Sequence, residues 1–333
     1  MKRRLLGKDG PAVHPLGIGA MSFSNFYGPT DERASHAILD AARDAGVDHI
    51  DTANVYGMGT SETVIGTYLK DNPGAKDGFV IATKGAIKRS PDGGGSSFDN
   101  SPAHLQSELE GSLKRLGVEA VDLYYVHRRD ASVPIEEVAG TMAGFVKAGK
   151  AKSIGFSEIA PSSLRRAHAV HPVAAVQSEY SLSTRAPELG LVQTCAELGV
   201  ALVAFSPVGR SLLTDTPIPF KVAQSLPFLA HNPRFMAPNY AANIAILAGF
   251  RTLAQDMGLS AAGLAIAWTL ARGDHVLPIP GTRSTDHFAQ LLEGAERTLT
   301  EEDVQAIERV LPVGWAHGDR YAAPQWVGPE RYC

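Results

Sequence analysis

Apolar, β-rich runs alternate along the chain with segments whose apolar positions recur every three to four residues. "HPLGIGA" (14–20), "VDHIDTA" (47–53), "FVIATK" (79–84), "VDLYYVH" (121–127), "AKSIGFS" (151–157), "VAAVQS" (173–178), "VALVAFS" (200–206) and "HVLPIPG" (275–281) read as strands. Helices are predicted over 31–46, 61–70, 101–117 and 134–149, and near 161–169, 187–198, 241–257 and 284–293. Gly46 stops the first, Ser61 is expected as N-cap of the second, and Ser101 caps the third with Pro102 at its first helical position. Strands alternating with helices argue for parallel βαβ units. An unbroken series of eight favours a closed (β/α)8 TIM barrel over an open sheet. "KRRLLGKDGPAVH" (2–14) predicts a β-hairpin turning at "KDG", which would close the barrel bottom. No break in composition marks a linker, so residues 1–333 are expected to form one domain.

Three segments exceed the ordinary βα connection. Residues 85–100 follow strand 3, with "GGGSS" (93–97) expected as a surface loop. Residues 207–240 follow strand 7, and 312–333 form a C-terminal loop rich in aromatics. On a barrel, long loops gather at the C-terminal face and carry function.

Composition narrows the field. The chain has 333 residues, 44% of them hydrophobic and 20% charged, as in ordinary globular proteins. A net charge of −4 is too mild to imply nucleic acid or an anionic membrane as partner. No run reaches the ~18 apolar residues of a membrane span, and no apolar signal segment follows the basic start, so a cytoplasmic protein is expected. Cys195 and Cys333 are the two cysteines. Cys333, as the last residue, is expected to be mobile, which argues against a structural disulfide.

The strand ends carry the chemistry. Asp51, Lys84, His127, Ser157, Gln177 with Ser178, and Ser206 end successive strands, and Tyr56 follows the second. A barrel brings all of them to one mouth. Asp51 would partner a buried Lys84, and Lys84 would lower the pKa of a nearby phenol. Tyr56 would then act as a general acid toward a developing alkoxide, while neutral His127 holds the carbonyl oxygen. No G-x-S-x-G elbow is present, and no third ligand joins Asp51 and His127 for a metal. Taken singly, each of these residues has an ordinary structural explanation as a cap, a packed ring or a snorkelling lysine. Together, at adjacent strand ends, they fit carbonyl reduction better.

The motifs "LGIGAMSFS" (16–24), "HIDTANVYGMGTSE" (49–62), "IATK" (81–84), "VDLYYVHRRD" (121–130), "GKAKSIGFSE" (149–158), "VQSEYS" (176–181), "VAFSPVGRSLL" (203–213) and "PIPGTRS" (278–284) occur in order over nearly the whole chain. In these the sequence resembles the aldo-keto reductase superfamily. The resemblance implies an NADPH/NADP-dependent reductase of aldehydes and ketones on a TIM barrel. It implies a catalytic tetrad of Asp51, Tyr56, Lys84 and His127, with Tyr56 as proton donor. Ser157 and Gln177 would hold the nicotinamide carboxamide, and Phe205 would stack on its ring. Ser206, Gly209 and Arg210 would follow the pyrophosphate, and Gly281, Thr282 and Arg283 would reach the 2′-phosphate. Gly19, Met21 and Asp51 add cofactor contacts, and His287 would stand near the adenine. Where the family often carries Asn after the carboxamide serine, this chain has Glu158. At the adenine end Gln290 is followed by Leu291, a departure from the family pattern.

The pocket mouth would draw on Phe23, Tyr27, Arg128, the 85–100 loop, the 207–240 segment and the C-terminal loop with Trp315, Tyr321 and Trp326, which suits a small carbonyl substrate with apolar or cyclic character. Two other readings stay open: a channel-associated NADPH-binding regulatory subunit, and a dehydrogenase oxidising a sugar or secondary alcohol. The physiological substrate, the direction of reaction and the oligomeric state are not fixed by the sequence.

Overall fold

The structure, a computed structural model, describes residues 2–89, 96–331 and 333. A short antiparallel hairpin comes first, β1 (Arg4–Leu5) with β2 (Ala12–Val13). The barrel strands are β3 (Ile18–Gly19), β4 (His49–Asp51), β5 (Val80–Gly85), β8 (Val121–Val126), β9 (Ala151–Ser157), β10 (Val173–Glu179), β11 (Ala201–Phe205) and β12 (Val276–Pro278). After β5, a second hairpin pairs β6 (Ile87–Arg89) with β7 (Ser96–Phe98). The eight barrel strands lie parallel and in sequence order. Gly17 N donates to Pro278 O and Gly19 N to Pro280 O, both at 2.9 Å, which joins the last strand to the first and closes the ring.

Outside lie α1 (Glu32–Asp44), α2 (Thr60–Asp71), α3 (Pro102–Leu116), α4 (Ile135–Lys147), α5 (Pro161–Val170) and α6 (Leu191–Leu198). Between β11 and β12 come two single turns, α7 (Phe220–Ala223) and α8 (Pro227–Ala230), then α9 (Asn239–Asp256) and α10 (Ala261–Leu270). After β12 follow α11 (Thr285–Glu296) and α12 (Glu301–Val310). Alternating strand positions divide the core. Ala82, Leu123, Tyr125, Val203 and Leu277 point into the barrel, where Leu6 and Val13 of the first hairpin join them and seal the bottom. The opposite positions pack against the helices.

The alternation of elements is as expected from the pattern, and Ser101 does cap α3, accepting from His104 N with Pro102 at the first turn. Ser61 is not a cap. Gly59, at φ +93°, takes the N-cap position of α2, and Ser61 is turned inward to Ala20 O and Thr52 Oγ1. Two long helices have no counterpart in the pattern. Every residue of α10 is buried, so it has no polar face and no helical period. It meets α11 where a Cβ on Gly294 would stand 2.1 Å from Gly263 O. The other, α12, shows its start chemically, in a Thr300–Asp303 capping box. Cys333 is not loose: it is buried, with its thiol donating to Glu330 O at 2.8 Å. Both cysteines are free. Of the expected surface loop at 93–97, residues 93–95 lie outside the described residues.

Candidate active site

At the C-terminal ends of the strands the barrel opens into a cleft of about 1130 Å³. Strand register delivers the acid and the base together. Asp51 ends β4 opposite Ala82 of β5, and Lys84 lies two residues further along β5 on the same face. Both are buried. Lys84 Nζ donates to Asp51 Oδ1, to Thr52 O at 2.8 Å and to the Tyr56 hydroxyl at 3.2 Å. The second Asp51 oxygen accepts from Gln177 Nε2 at 2.7 Å. Asp51 and Tyr56 are therefore gathered around one ammonium group. The His127 ring stands edge-on to Tyr56 with centroids 5.8 Å apart.

The electrostatics follow from burial and neighbours. Burial pushes the Tyr56 phenol above its ordinary value, and Lys84 and Arg128 pull it back without cancelling that rise. The expectation of a phenol below its ordinary value is thus corrected: desolvation of the phenolate outweighs the lysine. At neutral pH Tyr56 holds its proton, as a donor must. Burial lowers Lys84, but Asp51 and Tyr56 more than restore it, so it stays charged.

Of the residues expected at a cofactor, Gly19, Met21, Ser157, Gln177, Phe205, Ser206, Arg210, Gly281, Thr282, Arg283 and His287 line the cleft. Gly209 sits behind it, against Leu213 and Ser183. Gly19 and Gly281 bring two backbones together: a Cβ on Gly281 would lie 2.8 Å from Gly19 O. At the far end Ser284 caps α11, so the positive end of that helix faces the cleft beside Arg283. Arg283 is exposed and reaches across to Pro29 O at 2.9 Å. Arg210, at φ +54°, turns its guanidinium to Glu179 and to Arg320 O, between the rings of Phe228 and Tyr321.

Glu158 is buried at φ +55°, a strained conformation for a residue with a side chain. Its carboxylate takes Arg128 at 2.6 Å, Arg320, and the Tyr321 hydroxyl at 3.1 Å. Arg128 also donates to Ser157 Oγ at 3.0 Å. Tyr27, Arg128 and Tyr321 line the cleft as expected. Phe23 and Trp315 do not, being packed in the core. Trp326 lies against Tyr321 and Arg320, outside the cleft lining. Phe98 and Phe228 add aromatic walls from the 85–100 and 207–240 segments expected at the mouth, although neither was singled out, and Phe26 lay outside every expected contribution. Nothing in their local sequence separates them from loop-packing residues. Glu179 was visible in "VQSEYS" but carried no role, and Arg320 had no signal at all.

Among the described residues, no cluster of three or more His, Cys, Asp or Glu is placed to hold a metal. Likewise no described helix is long and apolar enough to cross a membrane.

A closed (β/α)8 barrel with a Tyr–Lys–Asp–His group at its mouth defines a class of redox barrels, and the comparisons agree. The profile of the Aldo/keto reductase family matches residues 15–312. The chain is 40% identical to "Probable aldo-keto reductase 1" of Glycine max, over 95% of this chain and 90% of that protein. It is 35% identical to "Aldo-keto reductase yakc [NADP(+)]" of Schizosaccharomyces pombe, over 96% and 94%. Among solved structures it resembles the glycerol dehydrogenase AKR11B4 from Gluconobacter oxydans (TM-score 0.81, 27% identity, 93% of this chain and 94% of that one). It also resembles the aldo-keto reductase AKR11C1 from Bacillus halodurans in its holo form (TM-score 0.77, 26% identity, 94% and 97%). The chain belongs to the aldo/keto reductase family, a family of NADP(H)-using oxidoreductases.

Proposed function

We propose that this chain reduces an aldehyde or ketone to an alcohol with NADPH, with Tyr56 as proton donor. The observation that carries the reading is the single ammonium of Lys84 bonded at once to Asp51 and to the Tyr56 hydroxyl, at the mouth of the cleft. The residues present fit the dinucleotide. Phe205 and Ser157 stand beside the tetrad, Gly19 and Gly281 give a floor of bare backbone, and Arg283 with the α11 terminus offers positive charge at the far end. When bound there, the reduced nicotinamide supplies the hydride.

The chain's own residues do the rest. His127 and Tyr56 hold the carbonyl oxygen, and Tyr56 gives it a proton as negative charge develops there. Lys84 stabilises the phenolate left behind, and Asp51 keeps Lys84 charged and in place. The apolar walls formed by Val55, Ile87 and Phe98 limit water around the reacting atoms. Ser157 and Gln177 are the proposed contacts of the carboxamide, and Arg283 that of the 2′-phosphate.

A second reading, oxidation of an alcohol, is favoured by the likeness to a glycerol dehydrogenase. The same groups serve it in reverse. The test is to titrate NADPH and NADH while following protein fluorescence, then to measure kcat/KM for aldehydes with NADPH and for alcohols with NADP⁺. Tight NADPH binding with faster aldehyde reduction supports the proposal. Faster alcohol oxidation shifts it to the second reading, and binding of neither cofactor overturns both.

A further inference from the structure

Charges around the catalytic end of the cleft do not balance. Arg128, Arg210, Arg234 and Arg320 converge on two buried carboxylates, Glu158 and Glu179. Among the described residues, four guanidiniums against two carboxylates leave a surplus of two positive charges. Counting Asp319, an exposed acid on the far side of Arg234, still leaves one. The crowding tells on one member: burial, together with Arg210 and Arg320, pulls the Arg234 guanidinium down to about 10, although Glu179 and Asp319 oppose it, whereas in Arg128, Arg210 and Arg320 burial is outweighed by Glu158 and Glu179 and the groups stay above their ordinary value. Burying unmatched charge is costly, and such a cost persists where a ligand brings the counter-charge.

Two of the four, Arg128 and Arg210, line the cleft, while Arg234 and Arg320 sit behind them. Both flank Tyr321. Arg128 Nη2 donates to its hydroxyl at 3.4 Å, and Arg210 lies 5.4 Å from its ring centre. Arg128 follows His127 in sequence and bonds Ser157. Arg210 also lies against the Tyr27 hydroxyl, which in turn feels Tyr56. The surplus therefore sits by the proton donor, at the opposite end from Arg283 and the α11 terminus. Among the described residues the one carboxylate lining the cleft is Asp51, and it is already paired with Lys84.

We propose that the carbonyl substrate carries an anionic group, a carboxylate or a phosphate, which binds between Arg128 and Arg210 beside Tyr321. The apolar surfaces of Phe98, Ile87 and Val327 then hold the carbon skeleton connecting that anion to the carbonyl. Glu158 and Glu179 fix the two guanidiniums without neutralising the set. This inference rests on the reductase reading above.

The test uses the full chain with saturating NADPH and matched substrate pairs. 4-Carboxybenzaldehyde is compared with its neutral methyl ester, and glyceraldehyde 3-phosphate with glyceraldehyde. The expected result is a kcat/KM advantage of at least about tenfold for one anionic partner, expressed mainly in KM and shrinking as NaCl is raised. Which pair shows it separates carboxylate from phosphate. In Arg128→Gln the anionic-to-neutral ratio should fall about tenfold or more, a ratio from which general damage to the enzyme cancels. Should that variant fail to fold, the wild-type ratio and its salt dependence decide alone. A ratio near one for both pairs overturns the proposal and leaves the reductase reading standing. An Arg128→Gln variant that binds NADPH about tenfold or more weakly while its anionic-to-neutral ratio stays at the wild-type value also overturns it, assigning the surplus to the cofactor. If no carbonyl of either kind is reduced, the reductase reading fails and the proposal falls with it.

Discussion

Lys84 and Tyr56 touch in two ways: the ammonium lies 3.2 Å from the phenol oxygen and 5.0 Å from the centre of the ring. A cation so placed favours phenolate over phenol, while burial works against it. In the proposed reaction, proton transfer from Tyr56 is therefore governed by the balance of those two forces.

Tyr56→Phe removes the proposed donor and little else. Turnover should fall by about 10² to 10⁴, while the dissociation constant for NADPH stays within a few-fold. Steady-state rates beside a fluorescence titration check this, and a variant with wild-type kcat would refute the assignment.

Lys84→Met deletes the cation that pulls the phenol down. Tyr56 then rises further, so the pH at which alcohol oxidation reaches half its maximum should move up by about one unit or more. The variant should also lose about 3–5 kcal/mol of stability, because Asp51 is left buried and unpaired. A pH–rate profile and urea unfolding report the two effects separately.

Glu158→Gln tests the buried hub. Burial alone would raise the Glu158 carboxyl, but Arg128 and Arg320 outweigh it and hold it below its ordinary value. The sign follows: the stability from this group is present above the unfolded-state pKa of about 4.3 and is lost as pH falls through the lower folded-state value. The urea midpoints of wild type and variant should differ at pH 7 and converge as acid is added. Parallel curves across that range would rule out an ionised Glu158.

Arg283→Ala should weaken NADPH by about tenfold or more and leave NADH nearly unchanged. Equal losses for the two cofactors would place Arg283 away from the 2′-phosphate.

Gly294→Ala and Gly144→Ala should have opposite signs. The first drives a methyl into Gly263 O, costing about 1–3 kcal/mol. The second meets nothing within 4 Å on helix α4 and should add about 0.5–1 kcal/mol. Thermal unfolding of both variants checks the pair.

What could be read in the sequence is what acts locally or repeats. The barrel strands declared themselves because each alternates with an amphipathic helix, and the tetrad because barrel geometry turns strand ends into neighbours. Helix α10 was hidden because it is buried on all sides and so has no period. Ser61 was misjudged because a serine before a helix has the chemistry of a cap, whereas Gly59 alone could take the left-handed turn there. Arg320 could not have been found: its partners Glu158 and Glu179 lie more than 140 positions away, and no spacing rule spans that distance. For the same reason the direction of the Arg210 side chain is decided by Glu179 and not by its own motif.

The union of Glu158 with residues 320–330 also bears on how the protein is made. Its carboxylate takes Arg320 and Tyr321, and its carbonyl accepts from Glu330 N at 2.9 Å. During synthesis these residues leave the ribosome after every barrel strand. A nascent chain halted before residue 320 can complete its barrel, yet Glu158 would have no Arg320 to meet and one wall of the cleft would be missing. Glu158, made with the fifth barrel strand, thus stays without its partners until residues 320–330 have followed, and that wall of the cleft is assembled after the barrel that carries it.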